Sequence, residues 1–184
     1  MSTTAPLRKR ILNDVEQVRA WAAAQGTLFE TEDARDEPRV YTLRVGIKGP
    51  ADTPYEGGVF VARVQLLLGH NGDKPYPLSS PSVAFVTPMW HPNIHECGSV
   101  CLDVLRDRWL PAIRLVDVFD HYIPHLLRNP EPSDPFNLAA ARHLSSDVEG
   151  YNTFVRLYTA KHGHPEGLNP AIVLPEPPFR NAPL

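Results

Sequence analysis

The stretch HPNIHECGSVC, residues 91–101, gathers two histidines and two cysteines into eleven positions. Three chemistries fit those residue types. His91/His95 and Cys97/Cys101 are spaced like ligand pairs, and imidazole and thiolate are the usual zinc donors. Structural zinc sites, however, draw their pairs from separated segments, whereas here both lie in one stretch that Pro92 restricts. A Cys97–Cys101 disulfide requires a turn that brings the two Cα atoms within about 7 Å. The third chemistry is nucleophilic. Cys101 stands between Val100 and Leu102 in a segment that is apolar yet without period, where a thiol can be both fixed and reachable. Its plain alternative is a buried cysteine acting as a small hydrophobe.

Positioning any of these groups needs a core, and 184 residues suffice for one domain. With 42% hydrophobic and 21% charged residues the composition is that of a folded protein, and a net charge of -3 gives no footprint for nucleic acid. No apolar run reaches the roughly 18 residues that would span a membrane. The start, MSTTAPLRKRIL, has basic residues without a following apolar signal region. With only two cysteines, the expected setting is a reducing one, cytoplasmic and/or nuclear.

Leu7, Ile11, Val15, Val18 and Ala22 recur at helical spacing, with Thr4 as cap, Pro6 in the first turn and Gly26 as the stop. Arg8, Lys9, Arg10 and Arg19 fall largely off that stripe, as a solvated or partner-docking face. Tyr41, Leu43, Val45 and Ile47 alternate with polar residues, and Phe60, Ala62, Val64, Leu66 and Leu68 share a face of the next strand. Residues 82–86 read as another strand and 27–32 as a weaker first one. The short connections predict an antiparallel meander. Residues 87–113 have no clean period, yet Met89, Trp90, Ile94 and Trp109 predict an ordered, functional segment. Leu115, Phe119, Tyr122, Ile123, Leu126 and Leu127 form a helical stripe that Pro124 should kink or break. Asp134-Pro135 reads as a helix start with Asp134 as cap, and Tyr151, Phe154, Val155 and Tyr158 place a last helix before Gly163. The domain therefore occupies residues 1–163, and 164–184 form a proline-rich tail.

Several motifs in order resemble the ubiquitin-conjugating enzymes: TPYEGGVF (53–60), YPLSSPSVAFVT (76–87), HPN (91–93), GSVCLDVL (98–105), Trp109 with Pro111, and NPEPSDPFNLAAA (129–141). The resemblance spans about residues 5 to 162. It implies an α+β fold of the UBC type, with an N-terminal helix, a four-stranded antiparallel meander and C-terminal helices. It also implies a chemistry. Cys101 accepts ubiquitin as a thioester from a ubiquitin-activating enzyme, and a ubiquitin ligase then presents a protein substrate whose lysine attacks the carbonyl. Thioester exchange needs no strong base, so neither His91 nor His95 has to pair with the cysteine. The family pattern makes His91 and Pro92 structural, with Asp103 and Trp109 as further support at the site's edge. Asn93 either donates to the developing oxyanion or holds its loop. Asp134 matches the family residue thought to orient or deprotonate the lysine, with helix capping as its competing reading. No metal or cofactor is implied, ATP being used by the activating enzyme.

The family's partner surfaces carry over to Arg8 and Lys9, to Leu78, and to Pro111 and Ala112. Leu78 departs from the Phe that many relatives place there, which weakens the expectation of a common RING-type ligase. The residues LGHNGDKP (68–75) look longer than the usual loop. FDHYIPHLLRNPEPSDPFN (119–137) resembles the branch linked to histone ubiquitination and GID/CTLH-type ligases, although that branch carries an acidic tail. The alternatives are a carrier of another modifier, of NEDD8 or SUMO type, and a largely non-catalytic ubiquitin-binding variant.

Overall fold

The computed structural model describes residues 4–32, 40–69, 74–102, 105 and 107–164. Helix α1, Thr4–Gln25, packs Ile11, Val15, Val18 and Ala22 into the core. The helix already includes Thr4, one position earlier than a cap would require. It stops at Gly26, whose φ of 63° suits a residue without Cβ, and the N–H groups of Gly26 and Thr27 satisfy the Ala23 and Ala22 carbonyls.

Four strands follow as the predicted meander: β1 Phe29–Glu32, β2 Val40–Lys48, β3 Val59–Leu67 and β4 Ser82–Phe85, antiparallel in the order β1-β2-β3-β4. The period-2 pattern puts Leu43, Val45, Ile47, Phe60, Ala62, Val64 and Leu66 in the core. Leu68 is a correction. It lies beyond the end of β3 and is 39% exposed, so the buried face ends at Leu66. The loop expected over 68–75 is described only at its ends.

The C-terminal half is helical. Leu115–Asp117 (α2) runs through a π-helical turn, Val118–Tyr122, into Ile123–Arg128 (α3), and then come Leu138–Ser146 (α4) and Val148–His162 (α5). Pro124 does not end the helix, but the α pattern is interrupted by the π-helical turn just before it. Tyr122 and Ile123 keep right-handed helical dihedrals, and the Ile123 N–H reaches back to the Val118 carbonyl, five residues away. A wider turn absorbs the missing proline donor and relieves the crowding that an α-turn would impose. Asp134 is not the α4 cap. That helix starts four residues later, and Asn137 caps it by accepting the Ala140 N–H on Oδ1 at 3.0 Å.

Arg10 also differs from expectation. It is half-buried, pairs with buried Asp14 at 2.7 Å, and donates to the Pro111 and Ile113 carbonyls at 2.9 and 2.8 Å. Asp14 in turn accepts a short hydrogen bond from the Tyr76 hydroxyl, and Trp109 Nε1 donates to the Pro77 carbonyl at 2.8 Å. These bonds join α1, residues 75–79 and residues 109–113 into one unit. No helix among the described residues is long and apolar enough to cross a membrane. Asp103 and the tail beyond His164 lie outside the described residues.

Candidate active site

The opening motif folds as a small hairpin hung on the edge of the sheet. Ile94 pairs with Val100, His95 N–H donates to the Ser99 carbonyl, and Gly98 N–H closes the turn on the His95 carbonyl. Ser99 bridges to Ala84, and the Phe85 N–H donates to the Gly98 carbonyl at 2.8 Å. Gly98 has φ 89°, and a Cβ there would stand 1.9 Å from the Phe85 carbonyl oxygen. The hairpin can therefore approach β4 only with glycine at this position.

The hairpin separates the two cysteines. Cys97 is exposed at the tip, and Cys101 is buried at the base, 8% exposed, with its N–H on the Asn93 carbonyl at 2.9 Å. Neither forms a disulfide. Cys97 Sγ lies 3.3 Å from Ser99 Oγ and 3.0 Å from His95 Nδ1. Hydrogen bonds from Ser99 first, and from His95 second, pull the Cys97 thiol down to about 7. His95 is exposed.

His91 is fully buried. Its Nδ1 accepts the Asn93 N–H at 3.0 Å, and its Nε2 faces the Leu126 carbonyl at 3.1 Å. The first bond needs a bare Nδ1, which leaves the proton on Nε2 to donate to Leu126. Burial pushes the imidazole down to about 4, against the opposing effect of the Leu126 bond, so it is neutral at pH 7. Both nitrogens are spent, and His91 has no lone pair for a metal and no free base for a thiol. Pro92 is buried, and its carbonyl accepts the N–H groups of Phe136 and Asn137, each at 2.8 Å.

Asn93 completes the attachment. It is 4% exposed, and its Nδ2 donates to the carbonyls of Glu131 and Asp134 at 2.8 and 3.1 Å, while Oδ1 accepts the Glu131 N–H at 2.8 Å. Both amide hydrogens are thus given to the 131–134 loop. That loop, Cys101 and the helical wall enclose a cleft of about 620 Å³. Cys101, Asn93, Glu131 and Asp134 stand on one side, and Leu110, Tyr122 and His125 also line it. The Asp134 carboxylate is exposed and makes no hydrogen bond or ion pair among the described residues. Ser133 donates twice to Glu131 Oε1, holding that carboxyl below its ordinary range.

Of the residues singled out in the sequence, Cys101, Asn93 and Asp134 meet at the cleft, with His91 and Pro92 beneath it. Trp109 stands apart from the cleft, bracing the neighbouring loop against Tyr76 and Pro77. Arg8, Lys9, Leu78, Pro111 and Ala112 are all exposed, and the Arg10 and Trp109 bonds hold their three segments together. Sequence reasoning missed Tyr122, His125 and Glu131. The first two stand three residues apart on the helix, a spacing that marks one face but not which cleft it borders.

The family model for ubiquitin-conjugating enzyme matches residues 10–159. Ubiquitin-conjugating enzyme E2 6 of Arabidopsis thaliana is 43% identical over 75% of this chain and 72% of its own length. Ubiquitin-conjugating enzyme E2 5 of the same plant is 44% identical over 66% of this chain and 63% of its own length. Protein PEROXIN-4, also of that plant, is 40% identical over 67% of this chain and 76% of its own. Among solved structures, a Toxoplasma gondii ubiquitin conjugating enzyme E2 domain superposes with a TM-score of 0.66 at 26% identity, over 85% of this chain and 99% of that one. Family members work in general with a modifier, an activating enzyme and a ligase. The chain belongs to the ubiquitin-conjugating enzyme family, transferases built on the UBC fold.

Proposed function

We propose that the chain carries ubiquitin as a thioester on Cys101, taken from the activating enzyme and passed with a ligase to a lysine of a protein substrate. The observation that carries this reading is the opening of buried Cys101 onto the cleft it shares with Asn93 and Asp134.

In the first step the Cys101 thiolate attacks the thioester carbonyl on the activating enzyme, whose own thiolate leaves. Thioester exchange needs no strong base, and a His91 with both nitrogens committed is consistent with that. In the second step a lysine amine attacks the Cys101 thioester, and the Cys101 thiolate is expelled. Asp134 orients the ammonium and takes its proton. Its release from capping duty, which Asn137 performs, supports this role over the structural one. Asn93 acts as a positioning residue, because its amide hydrogens already serve the loop that carries Asp134.

Ubiquitin is the modifier favoured here, in keeping with the names of the relatives. The protein needs no cofactor of its own; ATP is consumed by the activating enzyme. Exposed Arg8, Lys9, Leu78, Pro111 and Ala112 form the surface for the activating enzyme and the ligase, of RING or GID/CTLH type. A chemistry that requires a reduced Cys101 fits the cytoplasm or nucleus.

The test is a charging reaction with activating enzyme, ATP and ubiquitin, resolved without reductant. A thiol-sensitive adduct on the parent protein, absent from Cys101→Ala, is expected. Failure of the parent to charge from a demonstrably loaded activating enzyme sinks the proposal, and parallel reactions with SUMO and NEDD8 identify another modifier.

A further inference from the structure

The cleft beside Cys101 poses a hydrogen-bonding problem. Its walls are largely apolar, with Leu102, Ile113 and Leu126 among them. A protein modifier linked through its C-terminus must lay an extended backbone there, and each residue brings a carbonyl and an N–H that need partners. Asn93, the polar side chain nearest in sequence logic, cannot supply a donor. Both its amide hydrogens go to Glu131 and Asp134.

His125 can. It is exposed, and it lies on the turn of α3 that lines the cleft, three residues after Tyr122. Asn129 sits one turn further on. Its Nδ2 donates to the His125 carbonyl at 3.0 Å and faces His125 Nδ1 at 3.3 Å. An amide NH2 only donates, so Nδ1 accepts in this contact and Nε2 carries the ring N–H. Asn129 itself is not part of the cleft lining. The ring therefore turns its acceptor edge toward Asn129 and keeps a donor, Nε2–H, that has no partner among the described residues.

We propose that His125 Nε2–H binds a backbone carbonyl of the modifier's extended C-terminal segment, and that Asn129 is the positioning residue that fixes the tautomer for it. This rests on Cys101 being the carrier. The donor holds the thioester-bearing strand against the helical wall, so that its carbonyl stays in line for the incoming amine. A neutral hydrogen bond at a half-open site is worth about a fivefold effect on rate.

The experiment has two readouts on the full chain. The first is single-turnover discharge of the purified Cys101–ubiquitin thioester to free lysine, titrated up to saturation. His125→Leu should slow it about fivefold with the lysine KM unchanged, and His125→Gln, which restores an N–H donor, should recover most of the rate. Asn129→Leu should fall between them. The second is the ring-nitrogen NMR spectrum of His125, in the free protein and in a stable conjugate of ubiquitin on Cys101→Lys. The Nε2–H form should dominate in the free protein, and its resonance should move on conjugation. An unshifted Nε2, an unchanged rate in His125→Leu, or a His125→Gln protein as slow as His125→Leu would each overturn the inference. If the parent never forms the thioester, the carrier reading falls and takes this inference with it.

Discussion

Two cysteines four residues apart live in opposite surroundings. Cys97 is at the hairpin tip, exposed, with Ser99 and His95 drawing its thiol down to about 7. Cys101 is at the hairpin base, buried, on a cleft walled by two other segments. Its exposure and its lowered thiol would by themselves mark Cys97 as the reactive one. Yet it lines none of the clefts formed by the described residues, whereas Cys101 has a cavity, a clamped loop and a carboxylate. For a thioester exchange, holding the partner in reach counts for more than lowering the thiol.

The largest effect should come from removing one thiol or the other. Cys101→Ala is expected to abolish the thioester, while Cys97→Ser should charge within about twofold of the parent, since the lost contacts are exposed ones. A charging gel decides it, and loss of the adduct in Cys97→Ser would invert the comparison. Next comes the clamp that gives Cys101 its cleft. Asn93→Ala removes three hydrogen bonds from a buried site and should cost about 3 kcal/mol of stability. By freeing the loop that carries Asp134, it should slow lysine discharge about a hundredfold, as a small misplacement at a reacting centre does. Denaturant titration and single-turnover discharge check the two halves, and charging should survive better than discharge.

His91 predicts a pH dependence of folding. Its native value near 4 lies below the roughly 6.5 of an unfolded imidazole, so between those values the unfolded chain binds a proton that the native one refuses. Stability from this group is therefore complete above about pH 6.5 and declines as pH falls toward 4, by about 3 kcal/mol in all. Unfolding curves of the parent across that window, with His91→Gln lacking the slope, test the sign and the size. The smallest effect concerns Cys97. Alkylation at pH 7 should reach it before Cys101, and Ser99→Ala, which removes the leading hydrogen bond, should slow that labelling a fewfold without touching charging. Mass-mapped labelling kinetics read both.

Much of the fold could be read from residue types. The period-2 runs over 40–48 and 59–67 became β2 and β3, and the stripe from Ile11 to Ala22 became the buried face of α1, because burial against a single core enforces both periods. Local rules failed where one residue had two uses. Asp134 before Pro135 has the chemistry of a cap, but the N–H groups of Phe136 and Asn137 are claimed by the Pro92 carbonyl, and the helix waits for Asn137. Pro124 forbids an α-turn, but a π-turn was available, since its neighbours Ile123, Leu126 and Leu127 are buried and hold the helix against the core. Arg10 reads as a solvated charge until Asp14 and two distant carbonyls are brought to it.

The sequence by itself determined the α+β meander and the family, and it singled out Cys101, Asn93 and Asp134. Those follow from periodicity and from motifs whose members are neighbours in the chain. Only the tertiary structure decided what each does with its hydrogen bonds. Asn93 spends its amide on residues 131 and 134, and His91 its Nε2 on Leu126. A side chain's donors and acceptors are satisfied by whatever packing brings within about 3 Å, and partners some forty positions away leave no local trace in the chain.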